Sequence, residues 1–337
     1  MLSGLLEGFR TLARSWGLTV LVMVVNLSLA AALAVPLVGV LEREMQDTDT
    51  ASTMLYGFDY GWWSRFSEGR SGWTASFRPD VFGVGFAFKN LDLLLKGELP
   101  ARLFARGHAE PELEASDDDE RRSGLDGVIL ALGALYLLVQ TFLVGGILGV
   151  LRAPQGHWTV RGLLHGSGFY FGRLARVAAI GLLGAYALFL LNAPVARLVD
   201  GVAREAVSEA TAIAWLLGRH AALLLALLML AMVSSYAKVI VVLEERSSAL
   251  LAWVSALGFC LRNPLRTAGH YLAIALLWVG LLAAWAALDS RWQPTGYRTQ
   301  MVTLLLGQGL VFWRIWLRLA LLGGQVAIHR ASASGPR

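Results

Sequence analysis

Residues Met301–Ile328 read MVTLLLGQGLVFWRIWLRLALLGGQVAI, a run of 28 residues. Apart from Arg314 and Arg318 the stretch carries no charge. A helix needs about 20 apolar residues to cross roughly 30 Å of hydrocarbon, and this stretch exceeds that. An isolated strand there would leave its backbone groups unpaired in lipid, so helix is the one state that fits. Five further stretches have the same character: Gly17–Leu41, Gly127–Leu151, Leu174–Ala196, Thr211–Leu243 and Ala268–Ala287. The expected fold class is all-α, a polytopic membrane helical bundle with six transmembrane helices.

Composition agrees. Of 337 residues, 56% are hydrophobic and 16% charged, where soluble domains carry nearer to about 25% charged. The bias toward Ala, Leu, Gly and Arg suggests a bacterial source. A net charge of +5 on a soluble protein would raise nucleic acid as a partner. Here the arginines flank apolar blocks, where anionic lipid headgroups attract them, so membrane lipids are the expected partner and nucleic acid is not. Cys260 is the single cysteine, which excludes an internal disulfide and a cysteine-only metal cluster.

Orientation follows from the basic flanks. Arg10 and Arg14 precede the first span. Arg152, Arg161, Arg173 and Arg176 lie between the second and third, Arg246, Arg262 and Arg266 follow the fourth, and Arg330 and Arg337 close the chain. These alternate segments place both termini in the cytoplasm and the protein in the inner (plasma) membrane. The 198–210 connection holds Asp200, Arg204, Glu205 and Glu209 and suits the outside, whereas Asp289, Arg291 and Arg298 form a mild exception. Ala32-Leu33-Ala34 resembles a signal-peptidase site, but the preceding apolar stretch is too long for a usual signal-peptide core.

Three segments before odd-numbered spans resemble one another. They are Gly8-Phe9-Arg10, Gly168-Phe169 with Arg173 and Arg176, and Gly258-Phe259 with Arg262 and Arg266. Spans two and six both end in a glycine pair, Gly145-Gly146 and Gly323-Gly324, followed at equal spacing by Arg152 and Arg330. The implied unit is an interfacial helix, an outward span, a return span and a terminal arginine, used three times. The units are 1–152, with an outer-loop insertion at 42–126, then 153–246, then 247–337 with a short C-terminal tail. Arg14, Arg173, Arg176, Arg262 and Arg266 are the expected interfacial arginines.

On these motifs the layout resembles several bacterial six-span membrane families of unknown function. It is also similar to the membrane domain attached to some glycerophosphodiester phosphodiesterases. The resemblance implies architecture and no chemistry.

The insertion has an aromatic part, with Tyr56, Phe58, Tyr60, Trp62, Trp63, Phe66 and Trp73, that suits either the outer headgroup layer or a small cap core. Residues 82–104 are apolar with scattered charge and should lie on or dip into the membrane. Residues 110–122, with Asp117-Asp118-Asp119-Glu120, lack the glycine turn of a calcium loop and read as a solvated linker.

Inside span six, Gln300, Gly307, Arg314, Arg318 and Gln325 fall within about 40° of one helical face. An arginine facing lipid costs several kcal/mol, so this stripe should meet protein, water or phosphate. Register of the two glycine pairs puts Arg314 and Arg318 at the depth of Tyr136 and Gln140. Lys238 lies toward the end of span four, near Glu244, which could pair with Arg318. Arg314, Arg318, Gln140 and Lys238 are thus the candidate contacts for an anion or lipid. Three roles compete for the arginines: snorkelling to inner phosphates beside Trp313 and Trp316, a structural polar network, or binding an anionic substrate.

No HExxH, Walker loop, GxSxG or Cys/His cluster is present, and no carboxylate lies deep in a span. Neither a catalytic residue, a metal site nor a cofactor is therefore expected. A non-enzymatic scaffold or subunit of a membrane complex, with other membrane proteins as partners, is the first functional reading. A transporter or lipid-handling permease using the arginine stripe is the alternative.

Overall fold

The computed structural model describes residues 2–46, 49–54, 56, 59–68, 74, 127–152, 158–292 and 295–333. Among them are ten α-helices. They are α1 (Leu2–Arg14), α2 (Trp16–Met45), α3 (Thr50–Met54), α4 (Tyr60–Glu68), α5 (Gly127–Arg152), α6 (Val160–Arg204), α7 (Glu209–Leu243), α8 (Ala249–Arg262), α9 (Pro264–Asp289) and α10 (Tyr297–Ala333). Helices α2, α5, α6, α7, α9 and α10 are each long and apolar enough to cross a membrane. The chain is an all-α polytopic bundle.

Local chemistry sets several boundaries. The Thr159 hydroxyl accepts from the Gly162 amide at 3.1 Å and caps α6. The Ser248 hydroxyl accepts from the Leu251 amide at 3.3 Å and caps α8. Asn263 closes α8, and Pro264 takes the first position of α9, where its missing N–H costs nothing. No such break separates the expected second interfacial helix from span three. Helix α6 is continuous for 45 residues, about 68 Å, twice the hydrocarbon thickness. Where a separate interfacial helix was expected before span three, α6 has about four additional turns.

The return helices α5, α7 and α10 supply most of the buried side chains, including Leu143, Val144, Ile147 and Leu148, then Val239 to Val242, then Leu319, Ala320, Leu322 and Val326. On α2 and α9 burial is confined to one end: Leu18, Thr19 and Val22 on α2, and Thr267, His270 and Ile274 on α9. Tight packing thus occupies the half of the bundle where α5, α7 and α10 finish, the arginine-rich end.

One kind of crossing recurs there three times. The start of α6 lies on α5, α8 lies on α7, and α1 lies on α10, so the last return helix receives the first short helix. Glycine makes two of these approaches close. A Cβ on Gly8 would fall 2.6 Å from the Ala320 carbonyl oxygen and 2.9 Å from the Gly324 nitrogen. A Cβ on Gly145 would fall 3.2 Å from the Gly166 carbonyl oxygen, and one on Gly146 2.9 Å from Leu163 Cγ. The third crossing uses alanine, with Ala249, Ala252, Ala256 and Cys260 forming the buried stripe of α8.

These contacts change the register of the expected repeat. Gly168 and Gly258, the counterparts of Gly8 in the Gly-Phe alignment, face open space, and Gly166 makes the approach. The shared pattern is Gly4-Leu5-Leu6-Glu7-Gly8 with Gly162-Leu163-Leu164-His165-Gly166. Gly149, one turn after Gly145, also meets nothing, and Gly146 makes the second close approach on α5.

The ends of the three return helices are tied in a ring. Arg152 at the end of α5 donates to the Val242 carbonyl of α7 at 3.3 Å and pairs with Glu245 at 2.6 Å. Glu244 meets His329 of α10 at 3.1 Å, and Arg330 of α10 donates to the Arg152 carbonyl of α5. Glu245 adopts a left-handed φ of 54°, a strained conformation held by these contacts. The terminal arginines thus satisfy helix-end carbonyls that would otherwise lack partners.

Candidate functional site: a cationic cavity at mid-span

A cavity of about 450 Å³ lies where the tight packing gives out. It is lined from α2, α5, α7, α9 and α10. Its polar lining is Asn26, Tyr136, Gln140, Tyr271, Arg314 and Arg318. Apolar side chains such as Ile274, Trp278 and Val311 form the rest, and among the described residues no carboxylate lines it. Tyr136, Val311 and Arg314 are exposed, so the cavity opens on the flank of the bundle.

Arg318 Nη1 donates to Gln140 Oε1 at 3.1 Å. These are the two residues placed at one depth by the glycine-pair register. Gln140 Nε2 in turn donates to Asn26 Oδ1 at 2.9 Å, and Asn26 Nδ2 donates to the Val22 carbonyl at 2.7 Å. Arg314 lies over the Trp278 ring, 5.8 Å from its centroid, and makes no hydrogen bond or ion pair among the described residues. Lys238, on α7, is within Coulombic range of Arg318, and no acidic partner meets it among the described residues.

One expectation changes here. The Arg318–Glu244 pair does not form, because Glu244 is held by Arg246 at 2.6 Å and by His329. Arg314 and Arg318 are both exposed, yet each also meets the protein: Arg318, about 18 Å of helix before Arg330, reaches Gln140, and Arg314 lies over Trp278. Guanidinium stays charged, and neither a neutral amide nor an indole face neutralises it. Such a charge costs several kcal/mol unless water or an anion meets it.

The other named residues lie elsewhere. Arg14, Arg176, Arg262 and Arg266 are exposed at the arginine-rich end. Arg173 instead donates to the Glu245 carbonyl at 3.1 Å and lies 5.1 Å from the Phe169 ring centroid, so it belongs to the protein ring more than to lipid. Gln325 accepts from Ser235 at 2.7 Å, and Gln300 donates to the Met54 carbonyl at 3.3 Å, tying α10 to α3. In the insertion, Trp62 and Phe66 are buried and stacked at 4.8 Å while Tyr56 and Tyr60 are exposed, so the aromatic part divides between core and surface. Phe58, Trp73, residues 82–104 and residues 110–122 lie outside the described residues.

Asn26 and Trp278 were not singled out from sequence. Asn26 had a signal, being the one amide in its span, whereas an aromatic residue in a span is too common to point at Trp278. Among the described residues no group of three His, Cys, Asp or Glu side chains is placed to hold a metal. Comparison of the chain with family models, curated proteins and solved structures gives no match.

Proposed function

We propose that this integral membrane protein is a lipid-handling protein that takes an anionic headgroup into the cavity between α2, α5, α9 and α10. One observation carries the reading. Arg314 and Arg318 bring two permanent charges to an apolar-walled cavity that has no carboxylate among the described residues, and Lys238 lies within Coulombic range of Arg318. Arg314 falls at the midpoint of Met301–Ile328, so a headgroup held there sits halfway between the leaflets. That is where a headgroup passes when a lipid is moved or extracted, and the flank opening leaves its chains in the bilayer. The ring of Arg152, Glu244, Glu245, His329 and Arg330 closes the arginine-rich end beneath it. In the orientation set by the basic flanks this end faces the cytoplasm.

The test is lipid-dependent stability of the full chain in nanodiscs, compared between wild type and Arg314→Gln/Arg318→Gln. Anionic lipid should raise the melting temperature of the wild type relative to zwitterionic lipid, and the variant should lose that difference. A scaffold or subunit role predicts equal lipid response in both proteins, and that result would remove the proposal.

A further inference from the structure

Within this reading, we infer that the ligand is a lipid phosphomonoester, and that Gln140 Oε1 occupies the place of one of its phosphate oxygens.

Charge matching comes first. Arg314 and Arg318 present two permanent positive charges with no protein anion in the cavity among the described residues. A phosphodiester brings one negative charge, whereas a phosphomonoester brings about −1.5 to −2 near neutral pH. Only the second balances both guanidinium groups, and each can take two phosphate oxygens in parallel. Size points the same way. About 450 Å³ equals roughly 15 water volumes, enough for a bare phosphate and the glycerol region but not for a whole lipid. The acyl chains must then leave by the open flank, past Val311 and Tyr136, along the exposed apolar surface.

Gln140 is placed as a substitute acceptor. Its amide is oriented by Asn26, which takes the Nε2 hydrogen at 2.9 Å and so turns Oε1 toward Arg318 at 3.1 Å. This oxygen occupies a donor direction that a phosphate oxygen would use with a stronger, charge-assisted bond. Exchange of one acceptor for the other lets the empty cavity hold Arg318 in position. A carboxylate at position 140 would neutralise Arg318 from within and compete with the ligand.

The experiment is equilibrium binding by native mass spectrometry on the full chain in detergent, with dioctanoyl phosphatidic acid, phosphatidylglycerol and phosphatidylcholine as probes. Inorganic phosphate and glycerol 3-phosphate serve as competitors. Wild type should prefer phosphatidic acid to phosphatidylglycerol by about tenfold or more. Gln140→Glu should lose that preference while keeping a monodisperse, equally heat-stable fold. Equal binding of phosphatidic acid and phosphatidylglycerol, both above phosphatidylcholine, overturns the phosphomonoester class and leaves the anionic cavity standing. Loss of any preference over phosphatidylcholine removes both. Displacement by inorganic phosphate or glycerol 3-phosphate at concentrations equal to the lipid's overturns the lipid source. An unchanged preference in Gln140→Glu overturns the role of Gln140.

Discussion

Replacing Gly8 with alanine should loosen the first short helix from the last return helix, although alanine is the better helix former. The added Cβ would lie 2.6 Å from the Ala320 carbonyl oxygen and 2.9 Å from the Gly324 nitrogen. Both are backbone atoms, so neither can rotate away, and α1 must lift by about half an ångström or more; such overpacking costs about 1–3 kcal/mol. Helix propensity offsets up to about 1 kcal/mol of that. Gly146→Ala meets the Leu163 carbonyl oxygen, the Ser167 hydroxyl and Leu163 Cγ, and should cost at least as much. Gly168→Ala and Gly258→Ala add a methyl to open space and should be neutral or slightly stabilising. SDS-induced unfolding of the four variants, with melting temperature as a second readout, would give opposite signs for the two pairs. Equal stability of Gly8→Ala and Gly168→Ala would refute the crossing register drawn from these contacts.

Three other outcomes follow from the same contacts. Cys260 is buried on α8, and burial pushes its thiol up to about 11, so the native protein should resist maleimide at pH 7 to 8 and react after denaturation; rapid native labelling would mean α8 does not stay on α7. Arg152→Ala removes the Glu245 pair and the bonds to the Val242 carbonyl and Tyr170 hydroxyl, and because that side chain is partly exposed the loss should be only about 1 kcal/mol, read by thermal melts. In a Cys260→Ala background, a cysteine replacing Val207 should react with an impermeant maleimide from outside whole cells, and one replacing Ser332 only after lysis. The reverse pattern would invert the orientation.

The bundle was legible because its signal is hydrophobic length. Each of the six apolar stretches lies inside a continuous helix, and most of the helices extend only a few residues past the apolar limits because backbone hydrogen bonding continues into flanks such as Glu42–Met45, whereas α6 extends by about four turns before its stretch. Equal spacing from Gly-Gly to Arg in spans two and six placed Arg318 beside Gln140, since matched sequence distance means matched rise along two parallel helices. The short-helix register was harder to read. Gly-Phe adjacency catches the eye, but contact depends on which glycine faces the neighbour, and that is Gly166 through the spacing from Gly162. Side-chain choices among several partners were not legible at all. Glu244 had Arg246, Arg318 and His329 within plausible reach, and the turn at Glu245 decided between them.

The most direct test of the cationic cavity is an experimental structure of the full chain in nanodiscs containing phosphatidic acid. Non-protein density should lie within hydrogen-bonding distance of both Arg314 and Arg318, with the Arg318–Gln140 bond broken. Arg318 still on Gln140, with Arg314 on Trp278 and the cavity free of lipid density, would contradict it.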